Sequence, residues 1–237
     1  MQSNSFKAVV LSLCVFSLVA CDSKKQDEVP TQQQETIAKQ EPAEVLPFLN
    51  IEEAKVNLAV PFCEKKNCIE IDIQTVNTQD AWMNQWIEES QSKVIQDQIG
   101  LKQAMTLQQA VNAYVKKSDE WQKEFIKNKA YELHLQTRIA SQRNQYVLLQ
   151  VIVNSKQAEV NVKDRGYFFV ADRKTQKKLS ILDVIEPKQQ NALNNIIQAN
   201  YTEWMVEQKS EVKKLLPKKL YWGQNDWFFD GEGIGMH

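Results

Sequence analysis

Apolar positions follow two different periods from residue 46 onward, and each change of period marks a new element. VNLAVPF (56–62) and IEIDIQTV (69–76) are rich in apolar and β-prone residues and flank a polar stretch. They read as a hairpin with Glu64–Asn67 as its turn. The period then lengthens. Asn77-Thr78-Gln79-Asp80 has the composition of a helix start, with an N-cap residue and an acid in the first turn. Trp82, Met83, Trp86, Ile87 and Val94 follow at helical spacing as far as Gly100. A second helix is expected from about Thr106, with Leu107, Ala110, Val111, Tyr114, Val115, Ser118, Trp121 and Phe125 along one face. Aromatic residues at this spacing belong to a core rather than to a ligand platform.

From Ala130 the period becomes two. Tyr131, Leu133, Leu135, Thr137 and Ile139 alternate with Glu132, His134, Gln136 and Arg138, a strand with one wet face that carries His134. YVLLQVIV (146–153) reads as a more buried strand. Residues 157–162 and 167–171 read as a pair of strands or one long bent strand, broken at 163–166. Leu179–Val184 resumes the apolar pattern after a polar turn. Glu186-Pro187 opens a third helix, Pro187 being tolerated in a first turn. Leu193, Ile196, Ile197, Asn200, Tyr201, Trp204 and Met205 form its stripe. Trp227-Phe228-Phe229 suggests a last strand running into DGEGIG. That glycine-rich stretch lacks the Gly-Lys-Ser/Thr of a phosphate loop and the alternating acids of an EF-hand. The order predicts an α+β fold, an antiparallel sheet with about three packed helices.

The N-terminus follows neither period. Ala8–Ala20 is almost wholly apolar or small, with Lys7 ahead of it. A transmembrane helix needs about 20 apolar residues, so this shorter run reads as a signal peptide. Leu18-Val19-Ala20-Cys21 resembles a bacterial lipobox. The resemblance implies cleavage before Cys21 and acylation of its thiol and amine. Cys14 follows Leu13, which is too large for the position before a cut. Residues 21–45 lack aromatics and are dominated by Gln, Glu, Lys and Pro, the composition of a disordered tether. Such a tether spans roughly 25–30 Å. The expected organisation is signal peptide 1–20, lipidated cysteine and linker 21–45, and one α+β domain 46–237.

Charge adds a negative statement. The chain of 237 residues carries 29 Lys+Arg against 30 Asp+Glu, and loss of the leader removes only Lys7. That balance gives no reason to expect a nucleic-acid partner. Lys213, Lys214, Lys218 and Lys219 cluster around Pro217 and read as a solvated helix end and loop. Export would place Cys63 and Cys68 in an oxidising compartment, where an even pair reads as a disulfide. Closing so small a loop adds roughly 2 kcal/mol. A zinc site would usually take four ligands, and the only histidines are His134 and His237. No metal, no other cofactor and no catalytic residue is assigned. Deacetylase chemistry would require an Asp/His metal cluster, whereas acid–base chemistry on carboxylates alone stays open.

VNLAVPF…CIEIDIQTVNTQDAWMNQWIEE, YVLLQVIV, YFFVADRKTQKKLSILDVI and NDWFFDGEGIGMH together resemble the RsiV-type extracytoplasmic domain, over about residues 50–237. The resemblance places the family's helical asparagine and isoleucine at Asn84 and Ile87. It matches an aromatic-x-x-D-x-x-T-x-x-x-L-x-L-x-D pattern at Phe169, Asp172, Thr175, Leu179, Ile181 and Asp183. Family members include the outer part of an anti-sigma factor that binds lysozyme and accessory regions of peptidoglycan deacetylases. Sigma-factor control is not carried over, because this sequence lacks the matching cytoplasmic segment and span. The family usually continues with a further strand where this chain reads GIGMH, so the resemblance implies divergence or truncation there, and an open sheet edge.

The implied function is a lipid-anchored, non-enzymatic envelope protein facing the periplasm, on either the inner or the outer membrane. Its ligand would be a lysozyme-type muramidase or peptidoglycan. An envelope hydrolase or deacetylase, or a structural or assembly lipoprotein, are the alternatives. Trp222, Trp227, Phe228 and Phe229, with Asp230 and Glu232, are the candidate binding residues, although core packing is the stronger reading of the four aromatics. Glu88, Glu89, Asp230 and Glu232 are the acids to expect opposite a basic lysozyme.

Overall fold

The computed structural model describes residues 46–60, 67–125, 127–224 and 226–237. Eight strands and five α-helices run in the order β1 (Glu52–Lys55), β2 (Glu70–Asn77), α1 (Ala81–Gln98), α2 (Leu107–Glu124), β3 (Glu132–Arg143), β4 (Tyr146–Gln157), β5 (Val160–Asp172), β6 (Lys177–Leu179), α3 (Ile181–Val184), α4 (Pro187–Glu207), α5 (Ser210–Leu215), β7 (Trp227–Phe229) and β8 (Ile234–Met236). A 3-10 turn, Trp222–Gln224, precedes β7. β1 to β6 form one sheet in sequence order, and β7 and β8 form a separate pair. The fold is α+β, as the periodicity predicts, with three long helices and two short ones.

The sheet is antiparallel except for β2 and β3, which run parallel. A parallel pair needs a long crossover, and α1 and α2 provide it. Local chemistry sets the crossover's corners. Asp80 caps α1, its side chain accepting from the Met83 amide at 3.1 Å, so it stands before the first turn rather than within it. Asn84 pins the turn between β2 and α1. Its Oδ1 accepts from the Thr78 amide at 2.8 Å and its Nδ2 donates to the Thr78 carbonyl at 2.9 Å. Gly100 ends α1 with φ +68°, a value that favours glycine. Thr106 and Gln109 form a capping box at the start of α2.

One expectation fails. Residues 56–60 are not a strand. The antiparallel partner of β2 lies earlier, at Glu52–Lys55. Residue Ala59 is clasped instead by Gln108 of α2, which accepts from its amide and donates to its carbonyl, both at 2.9 Å. The turn residues 64–66 lie outside the described residues.

Period-two alternation on β4 and β5 divides the interior. Val147, Leu149, Val151 and Val153 face α1 and α2 in the larger core, with Met83, Trp86, Ile87, Ile95, Val111 and Tyr114. Leu148 and Val170 face the other way, into a second cluster with Ile181, Trp222, Trp227 and Phe229. Part of this sheet is therefore covered on both faces, which is why β4 reads as a near-continuous apolar run. The long bent strand is the outcome between residues 157 and 171. Its register against β4 shifts between Val153 and Ser155, and Asp164, at φ +48°, occupies the irregularity.

Candidate functional site

β6 has three residues and pairs with Val170–Asp172 only. Beyond its end, β5 from Tyr167 to Phe169 borders an open groove of about 630 Å³. Trp86, Val94 and Asp97 of α1 approach it from one side, and Gly223, Asp226 and Trp227 of the C-terminal segment from the other. Lys178, Ser180 and Asp183 close one end. A second hollow of about 630 Å³ adjoins it, sharing Glu89, Lys93, Gln96, Gln103 and Lys178. The floor is apolar, with Val94 and Val170 buried. The rim carries both signs of charge.

Ion pairs hold the lining carboxylates Glu89, Asp97 and Asp183. Glu89 is bound by Lys178, and this hydrogen bond holds its carboxyl below the usual range. Asp183 accepts from Lys177 at 2.5 Å and from the Ser180 hydroxyl at 2.6 Å. Those bonds, Lys177 first, depress its pKa to about 2. Asp97 faces Arg165 at 3.3 Å and accepts from the Tyr167 hydroxyl at 2.5 Å. Arg165 also lies over the Tyr167 ring, 4.7 Å from its centroid. Burial, then the Asp97 bond, pushes the Tyr167 phenol upward. That phenol stays protonated as the donor.

Asp226 behaves differently. Its carboxylate accepts from the Phe168 amide at 3.4 Å, on the β5 edge that β6 leaves uncovered. Burial raises its pKa, against the opposing effects of that amide, His237 and Arg165, while Asp97 adds to the rise. One groove thus holds Glu89 and Asp183, whose lysine hydrogen bonds favour the ionised form, and Asp226, which burial pushes toward its neutral form. Such a set can grip a polar ligand or exchange a proton with it.

The sequence-predicted residues fall elsewhere. Trp222, Trp227 and Phe229 are buried in the second cluster and Phe228 packs against it. They form no aromatic surface patch, because they cover a sheet face that would otherwise be wet. Trp227 alone reaches the groove, its ring N–H donating to the Leu179 carbonyl at 3.0 Å. Asp230 and Glu232 are exposed in the β7–β8 turn, where Asp230 accepts from the amides of Glu232 and Gly233 at 2.8 and 3.0 Å. Glu88 lines only the second hollow, and Glu89 is neutralised by Lys178. Cys21 and Cys63 lie outside the described residues; Cys68 is exposed just before β2. His134 lies on the wet face of β3, 3.7 Å from Glu70. Among the described residues, no group of three or more His, Cys, Asp or Glu is placed to hold a metal. No helix among them is long and apolar enough to cross a membrane.

Sequence reasoning missed Asp97, Arg165, Tyr167 and Asp226. One signal was available. An acid in the last turn of a helix opposes the macrodipole, so Asp97 calls for an external cation, which Arg165 supplies.

A six-stranded, mainly antiparallel sheet covered by a helical pair on one face and by a C-terminal segment on part of the other defines an α+β domain with an edge groove. Its fold is that of a DUF3298 family protein from Pseudomonas aeruginosa PAO1, with TM-score 0.50 and 16% identity over 72% of this chain and 75% of that one. A DUF3298 member from Bacteroides fragilis NCTC 9343 has TM-score 0.40 and 11% identity over 79% of this chain and 88% of that one. No family model matches the sequence, and no curated protein matches it.

Proposed function

We propose that the chain is a lipid-anchored, non-enzymatic protein of the bacterial envelope, held through Cys21, whose domain binds peptidoglycan in the groove beside β5. The observation that carries this reading is the lining: Glu89, Asp97, Asp183 and Asp226 stand with Lys93, Lys102 and Lys178 around an apolar floor. Peptidoglycan presents carboxylates, amines and sugar hydroxyls together, and a mixed lining complements all three. A basic muramidase would instead call for an acidic field, and Lys178 cancels the charge of Glu89. A second reading, acid–base hydrolysis of the wall polymer, draws support from Asp226, a carboxyl raised by burial within the groove.

The test is binding of the unlipidated chain from Asp22 onward to peptidoglycan sacculi and to lysozyme in one assay, with Asp97→Asn and Tyr167→Phe variants. Retention on sacculi that both variants weaken supports the reading. Retention on lysozyme alone moves the ligand to a muramidase, and silence on both sinks the groove as a wall-binding site. Chromatography of soluble muropeptides from the same incubation decides the hydrolase reading. Release that Asp226→Asn abolishes would establish it.

A further inference from the structure

We infer that the corner formed by the end of α4, by α5 and by the loop after it is a docking surface for an anionic lipid bilayer. The inference rests on the envelope location proposed above, though not on the groove.

α4 is 21 residues long, yet Tyr201 is its one buried side chain. Beyond that point the chain turns back along the helix. The Tyr201 hydroxyl donates to the Pro217 carbonyl at 2.8 Å, Gln198 to the Leu220 carbonyl at 2.8 Å, and Lys213 to the Val206 carbonyl at 2.9 Å. Residues 204–221 therefore form one protrusion held to α4. Its apolar side chains point outward: Leu215 is 86% exposed, Val206 72% and Tyr221 69%, with Trp204 and Val212 also exposed. α5 has no buried residue.

Charge indicates the partner. Residues 209–221 carry five lysines, Lys209, Lys213, Lys214, Lys218 and Lys219, against Glu211 alone. Counting Glu203 and Glu207 on the adjoining turns still leaves five against three. None of these lysines makes an ion pair among the described residues. Long lysine stems interleaved with Leu, Val, Trp and Tyr suit the interface between acyl chains and phosphate groups. An acylated Cys21, about 25 residues ahead of the domain in the sequence, would hold the domain at the bilayer that carries the lipid. Each contact would then be effectively intramolecular.

The test uses the unlipidated chain from Asp22 onward, which retains the compact unit Val45–His237. It is sedimented with vesicles of phosphatidylcholine and with vesicles that also contain phosphatidylglycerol. Binding is expected to the anionic vesicles and to fall with salt. Each lysine near such a surface contributes on the order of 5-fold in affinity, so K214Q/K218Q/K219Q should lose on the order of 100-fold. L215S, at a fully solvated position, should lose roughly 10-fold. Brominated lipid should quench fluorescence that is missing in Trp204→Phe. Equal binding to both vesicles, no binding to either, or an unchanged triple variant overturns the proposal. So does retention on heparin without preference for vesicles, which would make the corner a site for a soluble polyanion. Acylation is read separately, by detergent-phase partition of the full chain and of Cys21→Ser, so failure of the anchor and failure of the docking corner are distinguishable.

Discussion

Arg173 offers the sharpest test of the packing logic. Its side chain is 3% exposed and its Nε lies 3.5 Å from Asp80 Oδ2, which is 24% exposed. Its Nη2 donates to the Pro47 carbonyl at 3.0 Å, tying the start of the domain to the α1 cap. Its Nε and Nη1 make no hydrogen bond among the described residues. At 3.5 Å and an effective dielectric of about 20, the attraction is about 5 kcal/mol before desolvation, which returns much of it. The two partners differ in what they leave behind. Asp80→Asn keeps an equally good cap but strands a buried cation, so it should cost about 3 kcal/mol. Arg173→Met fills the space with an apolar chain, removes the two donor nitrogens that lack hydrogen-bond acceptors, and leaves Asp80 with the Met83 amide and some water. It should cost about 1–2 kcal/mol. The double variant should be more stable than Asp80→Asn alone. Urea unfolding of the chain from Asp22 onward, followed by tryptophan fluorescence with equal slopes required, measures all four corners of the cycle. If Asp80→Asn is no more costly than Arg173→Met, or the two effects simply add, the argument from unequal burial is wrong.

Asp226→Asn should raise stability at neutral pH. A raised folded pKa means that burial opposes ionisation, so the wild-type domain loses stability as pH rises through that pKa, whereas the amide does not; thermal melts at pH 4 and pH 7 check the sign. For Asp183, depressed to about 2, the sign is opposite: its contribution is present above the unfolded value of 3.8, is lost as pH falls toward 2, and should be absent in Asp183→Asn during acid titration by circular dichroism. Gly235→Ala should cost about 1–3 kcal/mol, since an added Cβ would meet Phe228 Cζ at 2.3 Å; Gly231→Ala, with open space around it, is the control in the same melts. Reduction of the proposed Cys63–Cys68 disulfide should lower stability by roughly 2 kcal/mol, and thiol titration of the unfolded, unreduced chain should find neither cysteine free.

Elements whose patterns arise from one face of one segment were legible in the sequence. α1, α2 and β3 each bury a regular stripe, and their caps and breakers sit at the ends that the pattern implies. The pattern around Phe169, Asp172, Thr175, Leu179, Ile181 and Asp183 also has a local cause. Asp172 Oδ1 accepts from the Lys174 and Thr175 amides at 2.9 and 3.3 Å to turn β5 into β6, and Asp183 accepts from the Ser180 amide at 2.8 Å to start α3. What misled was composition without a partner. Residues 56–60 look β-prone but follow Gln108, which lies on a helix about 50 positions away. The third helix's stripe failed in the same way. Ile196 and Trp204 belong to it by spacing yet face solvent, whereas Leu193 and Ile197 pack against the second cluster and Tyr201 is buried.

The groove was illegible for a stronger reason: it exists because two coverings stop short. α1 packs on one face of β5 and the C-terminal segment on the other, while β6 ends after three residues. No single segment encodes the gap between them. Its chemistry then follows from geometry. A β5 amide left without a strand partner needs an acceptor, and Asp226 supplies one from a half-buried position that raises its pKa. An acid at the end of α1 needs a cation, and Arg165 reaches it from the irregular stretch of β5. Both carboxyls thus answer structural demands, Asp97 through its ion pair with Arg165 and Asp226 through the Phe168 amide. Structural duty and ligand contact therefore separate by experiment: a purely structural Asp226 gives a stabilised asparagine variant that binds sacculi as the wild type does, whereas a ligand-contacting Asp226 gives one that is stabilised and no longer binds.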